Sequence, residues 1–62
     1  MPFIEIHYLD GKTEEQREKL ARAITDAVVE IFQVPRDAVW IKFSEMPKTH
    51  FAIGGVLWSK KK

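Results

Sequence analysis

The sequence predicts an α+β fold, a β-α-β protomer with parallel strands and a C-terminal β-hairpin, with residues 1–62 forming a single domain. Two stretches rich in β-branched and aromatic residues, 2–9 and 38–46, flank one long segment of helical periodicity. A strand–helix–strand order of this kind sets the two strands parallel through a right-handed crossover. The third observation is the Gly54-Gly55 pair between Phe51-Ala52-Ile53 and Val56-Leu57-Trp58, because adjacent glycines supply the positive φ angles that a two-residue hairpin turn requires.

The first strand alternates, with Ile4, Ile6 and Tyr8 on one side and Phe3, Glu5 and His7 on the other. Asp10-Gly11 then turns the chain. Thr13-Glu14-Glu15-Gln16 fits a capping box, in which the Thr hydroxyl takes the Gln amide and the Gln side chain reaches back, so a helix should start here. From Glu14 to about Phe32 the apolar positions Leu20, Ala21, Ile24, Ala27, Val28, Ile31 and Phe32 recur at helical spacing, and Glu15/Lys19 and Glu18/Arg22 are favourable i,i+4 pairs on the wet side. Val34-Pro35 ends the helix, since the residue before a proline is driven out of the α region. In the second strand, Ala38 to Met46, Val39, Ile41 and Phe43 alternate against Trp40, Lys42, Ser44 and Met46.

A domain of about 60 residues buries only ~60% of its unfolded surface, which leaves little net stability. Disulfides or a thiolate zinc site would normally compensate, but the chain has no cysteine. Two parallel strands and one helix also leave a sheet face uncovered, while the first strand is apolar on both sides and the hairpin is almost wholly apolar. Homo-oligomerisation is therefore expected. Ten basic residues against nine acidic ones, a net charge of +1, argue against a nucleic-acid or anionic-membrane partner, which would be met by a basic stripe; the Lys60-Lys61-Lys62 run reads as a solvated tail. No apolar run approaches the ~20 residues of a membrane helix. The first residues lack the basic and apolar regions of a secretory leader, so a cytoplasmic location is expected.

Several blocks together resemble the 4-oxalocrotonate tautomerase family. They are Met1-Pro2 opening a strand, Gly11-Lys12-Thr13-x-Glu15-Gln16-Arg17, Glu45-Met46-x-Lys48-x-His50-Phe51-x-Ile53-Gly54-Gly55, and Ser59-Lys60. The resemblance spans position 2 to about 60. It implies a hexamer built as a trimer of dimers, with no cofactor, catalysing 1,3-proton transfer in enol or dienol forms of 2-keto acids. It also implies that Met1 is removed and that the exposed nitrogen of Pro2 is the general base. Small residues in second position permit that removal, and a rigid secondary amine needs no side chain frozen into place. Because a solvated ammonium is mostly charged at pH 7, the site must exclude water or bring cations near it.

Two family positions are changed here. Where the family has an Arg that binds the substrate's remote carboxylate, this chain has Lys12, which keeps the charge and loses the planar fork. Where the family has a second Arg near the start of strand two, this chain has Trp40, which has one N–H donor and no charge. Phe51 matches the family's aromatic wall. Trp40 has two readings: an interface aromatic filling space between copies, or an indole that stacks on a flat conjugated enol while Lys12 holds one carboxylate. The second reading favours monoacid substrates of the phenylenolpyruvate type. Lys42 and Arg36 are candidate replacement cations, although solvated surface charges describe both more simply. His7 and His50 lack ligand-spaced carboxylates around them, so no metal site is expected. The 51–58 segment contains no acid to activate water, which favours tautomerisation over hydration. An alternative of a different class is an oligomeric binding or scaffold protein of the same fold whose chemistry has weakened.

Overall fold

The computed structural model describes residues 1–60. Lys61 and Lys62 of the expected lysine tail lie outside the described residues. Strand β1 (Phe3–Leu9) is followed by helix α1 (Glu14–Phe32), strand β2 (Trp40–Met46) and a hairpin of two short strands, β3 (Ala52–Ile53) and β4 (Val56–Leu57). Single 3-10 turns occupy Arg36–Ala38, Lys48–His50 and Trp58–Lys60.

β1 and β2 pair in parallel, with Phe3 beside Trp40, Glu5 beside Lys42, His7 beside Ser44 and Leu9 beside Met46. β2 begins two residues later than its alternation predicts. Ala38 belongs to the 3-10 turn, where its N–H donates to the Pro35 carbonyl at 3.1 Å, and the first ladder bond of the strand is Trp40 N–H to Pro2 O at 3.0 Å. Proline has no N–H, so Pro2 joins the ladder through its carbonyl alone.

α1 starts as its sequence dictates. Thr13 Oγ1 accepts from the Gln16 N–H at 3.1 Å and Gln16 Oε1 accepts from the Thr13 N–H at 2.9 Å. The helix ends one residue before the Val34-Pro35 step: Gln33 takes the left-handed conformation (φ 57°, ψ 52°) and its N–H caps the Val29 carbonyl at 3.0 Å. The helix face turned inward is made of Arg17, Ala21, Ile24, Thr25, Val28 and Val29, all half-buried. This narrows the predicted apolar stripe. Ile31 (73% exposed) and Phe32 (64%) stand in the open, and Leu20 and Ala27 are also exposed.

Against α1 the sheet turns Ile4, Ile6, Tyr8, Ile41 and Phe43, while Phe3, Glu5, His7, Trp40 and Lys42 cover the opposite, open face. No described residue is fully buried. One helix on one side of a two-stranded parallel sheet leaves half of the sheet in water, and such sheets need cover on both faces. The hairpin turns through Gly54 (φ 61°) and Gly55 (φ 85°), the paired positive values of a type I′ turn. It packs against the flanking 3-10 turns, so the molecule is long and thin, 43 × 24 × 14 Å.

Candidate active site

Pro2 lies at the head of β1, half-buried, on the sheet face that α1 covers. Its neighbour across the ladder is Trp40. The indole of Trp40 is 51% exposed and meets Phe3 edge to face, with ring centroids 6.3 Å apart at 74°. Its Nε1–H donates to the Asp37 carbonyl at 3.2 Å. That bond uses the only donor of the side chain, so on the open sheet face the indole presents ring surface and no free hydrogen-bonding group.

The two candidate replacement cations are placed differently. The Arg36 guanidinium pairs with Asp26 of α1 at 2.6 Å, which ties the 3-10 turn to the helix. Lys42 lies on the open sheet face, in register with Glu5.

Lys12 is at the other end. From Pro2 to the turn after β1 the chain runs roughly 25 Å at the usual rise of a strand, more than a small enol acid spans. Lys12 lines a depression of ≈ 230 Å³ together with Ile6, Tyr8 and Phe43 of the sheet and Gln16, Arg17 and Leu20 of α1. The floor is apolar, and Tyr8 meets Phe43 edge to face at 6.2 Å. Cationic and hydroxyl groups stand at the rim: Arg17 Nη1 donates to Tyr8 Oη at 3.2 Å and to the Lys12 carbonyl at 3.2 Å, and lies 3.5 Å from Glu45 Oε1. Arg17 stands in the Gly11–Arg17 block, yet nothing in the local pattern indicates that its side chain joins both strands to the loop.

Phe51 belongs to the hairpin unit, five residues beyond the far end of β2. It is half-buried, its carbonyl accepts from the Trp58 N–H at 2.7 Å, and its ring lies 6.4 Å from that of Trp58. The single protomer therefore brings the Trp40 backbone to Pro2, with the indole on the open sheet face, and keeps Lys12 a strand's length away. Among the described residues, no group of three or more His, Asp or Glu side chains is arranged to hold a metal ion, and no helix is long and apolar enough to cross a membrane.

Residues 2–61 match the profile of the Tautomerase family, described as tautomerase enzyme. A 2-hydroxymuconate tautomerase of Pseudomonas putida is 42% identical over 60 residues, covering 97% of this chain and 95% of its own length. Another from Stutzerimonas stutzeri is 42% identical over 55 residues, covering 89% and 87%. Among solved structures, a heterohexameric 4-oxalocrotonate tautomerase of Chloroflexus aurantiacus superposes with a TM-score of 0.88 at 34% identity, with both chains covered in full. Shared fold, full-length coverage and this level of identity agree, and the chain belongs to the tautomerase family of enzymes.

Proposed function

We propose that the protein catalyses 1,3-proton transfer in enol or dienol forms of 2-keto acids, with the nitrogen of Pro2 as general base once Met1 has been removed. The observation that carries this reading is the placement of Pro2: it heads β1, half-buried, with its carbonyl tied to the Trp40 N–H of β2 at 3.0 Å, and the Met1 residue before it is 76% exposed. With Met1 in place the Pro2 nitrogen is an amide and has no basic lone pair. Freed, it accepts the proton of the substrate's 2-hydroxyl. The O–H electrons form the carbonyl, the double bond shifts, and the same nitrogen returns a proton to carbon. General-base steps of this kind contribute roughly 100- to 10,000-fold in rate.

The separation of Pro2 from Lys12 supports a site completed by a second copy. A protomer laid antiparallel beside the free edge of β1 brings its own Lys12 to the Pro2 end of the first. Assembly also supplies the dryness that the base needs, since no described residue of the lone protomer is buried. Hexameric assembly accords with the heterohexameric relative. In this reading Lys12 binds one carboxylate and Trp40 and Phe51 are apolar walls, an arrangement suited to monoacid enols carrying a flat apolar group.

The test uses protein whose N-terminus has been verified by intact mass. Pro2→Ala, and separately an N-terminal extension that keeps Pro2 in an amide, should each lower kcat/KM for phenylenolpyruvate and 2-hydroxymuconate by about 100-fold or more. Parental turnover in both variants overturns the mechanism. The engaged indole N–H of Trp40, with no cation at its place, favours a second reading, an assembled binding or scaffold protein with weakened chemistry. An intact oligomer that turns over neither enol supports that reading.

A further inference from the structure

We infer that Arg17 is a positioning residue that holds the Lys12 loop in place and so tunes recognition of the substrate carboxylate that Lys12 binds. This rests on the reading of Lys12 as the carboxylate binder. Lys12 sits in a four-residue connection whose flexible point is Gly11, at φ 112°, a conformation that side-chain-bearing residues rarely adopt. On one side of that glycine, the Asp10 N–H donates to the Met46 carbonyl at 2.9 Å. On the other, the capping box fastens Thr13 to Gln16. Lys12 lies between these anchors, and its carbonyl accepts from Arg17 Nη1 at 3.2 Å.

Arg17 suits the role because its own position is determined by both strands. The same Nη1 donates to Tyr8 Oη of β1 and lies 3.5 Å from Glu45 Oε1 of β2, while the Tyr8 hydroxyl lies 3.4 Å from that carboxylate oxygen. The guanidinium thus transmits the position of the sheet to the Lys12 backbone. It is one-third exposed and forms part of the wall of the ≈ 230 Å³ depression that Lys12 also lines. Glu45, Tyr8 and the Lys12 carbonyl all meet Arg17 through Nη1, which holds the guanidinium toward the sheet and the loop. Without Arg17 the Lys12 ammonium is still present, on a loop free to turn about Gly11.

The test is a double-mutant cycle on the full-length protein with a dicarboxylate enol and a monocarboxylate enol. Arg17→Met is expected to raise KM for both enols roughly fivefold to tenfold, since Lys12 holds a carboxylate in each, with kcat within about twofold. Arg17→Lys, which returns one donor, is expected to recover part of the KM. In the Lys12→Met background, Arg17→Met is expected to add nothing, because there is no longer a cation to position. Additive losses overturn the proposal, since they make Arg17 an independent binder. Equal falls in kcat for both enols overturn it as well. Lys12→Met raising the dicarboxylate KM while Arg17→Met does not overturns the positioning role alone; parental KM in Lys12→Met overturns the carboxylate-binding reading and the proposal with it. If Arg17→Met yields no folded protein, Glu45→Gln carries the test, with a smaller KM rise of about twofold expected and a parental KM overturning the inference.

Discussion

Replacing Trp40 by arginine converts the apolar neighbour of Pro2 into a cation, and the structure sets both the cost and the gain. Three interactions are lost. The indole hydrogen bond to the Asp37 carbonyl, at 3.2 Å, contributes about 1 kcal/mol. The edge contact with Phe3, at 6.3 Å and 74°, contributes roughly 0.5–1 kcal/mol. Burial of the ring adds little, because half of it is already in water. The total destabilisation is about 1.5–2 kcal/mol. The backbone bond from residue 40 to the Pro2 carbonyl, 3.0 Å long, does not depend on the side chain, so the guanidinium stands at the Pro2 end of the sheet, on the open face where the indole was. A charge-assisted bond to a carboxylate contributes about 1.5–3 kcal/mol, or roughly 10- to 100-fold in kcat/KM. Trp40→Arg should therefore shift the ratio of kcat/KM for 2-hydroxymuconate over phenylenolpyruvate by that factor toward the dicarboxylate. The assay follows the decay of each enol's absorbance, with assembly mass measured by light scattering. A ratio that stays level or falls in a variant of parental mass would refute the assignment of Trp40 as a wall of the site.

Two further predictions concern stability and assembly. Gln33 holds a left-handed conformation (φ 57°, ψ 52°) at the end of α1, which costs a side-chain-bearing residue about 1 kcal/mol, so Gln33→Gly should raise Tm by about 4–8 °C at fixed protein concentration; an unchanged or lower Tm refutes the strain. Phe3 is 60% exposed on the open sheet face, beside the acidic Glu5, and if copies meet through that face each buried ring contributes about 2 kcal/mol. Phe3→Glu should then lower the assembly mass seen by light scattering, and an unchanged mass places the interface elsewhere.

Much of the fold was legible because its causes are local. The alternation of Ile4, Ile6 and Tyr8 against Phe3, Glu5 and His7 reappears as covered and open sheet faces. The Thr13–Gln16 box forms as the spacing predicts. Gly54-Gly55 makes the turn its dipeptide requires. The errors lie where periodicity stops being sufficient. Ile31 and Phe32 keep the helical spacing but extend past the part of the sheet the helix covers, so they are exposed. Val39 and Ala38 continue the strand pattern, yet the Pro35 carbonyl captures the Ala38 N–H and delays the ladder to Trp40.

The candidate site was legible in part and for a different reason. Pro2, Lys12, Trp40 and Phe51 stood out by resemblance, and the linear chain carries no measure of the distance between them.

The sequence by itself determined the identity and order of the elements, since hydrophobic period, cap residues and paired glycines act over three or four positions and need no distant partner. Tertiary structure alone decided that Trp40 adjoins Pro2 while Lys12 stands a strand away, that Asp26 engages Arg36, and that Arg17 joins Tyr8, Lys12 and Glu45 across sequence separations of 9, 5 and 28 residues. Such contacts arise only when helix and sheet pack, because a side chain's partners are set by the register of the elements that carry it.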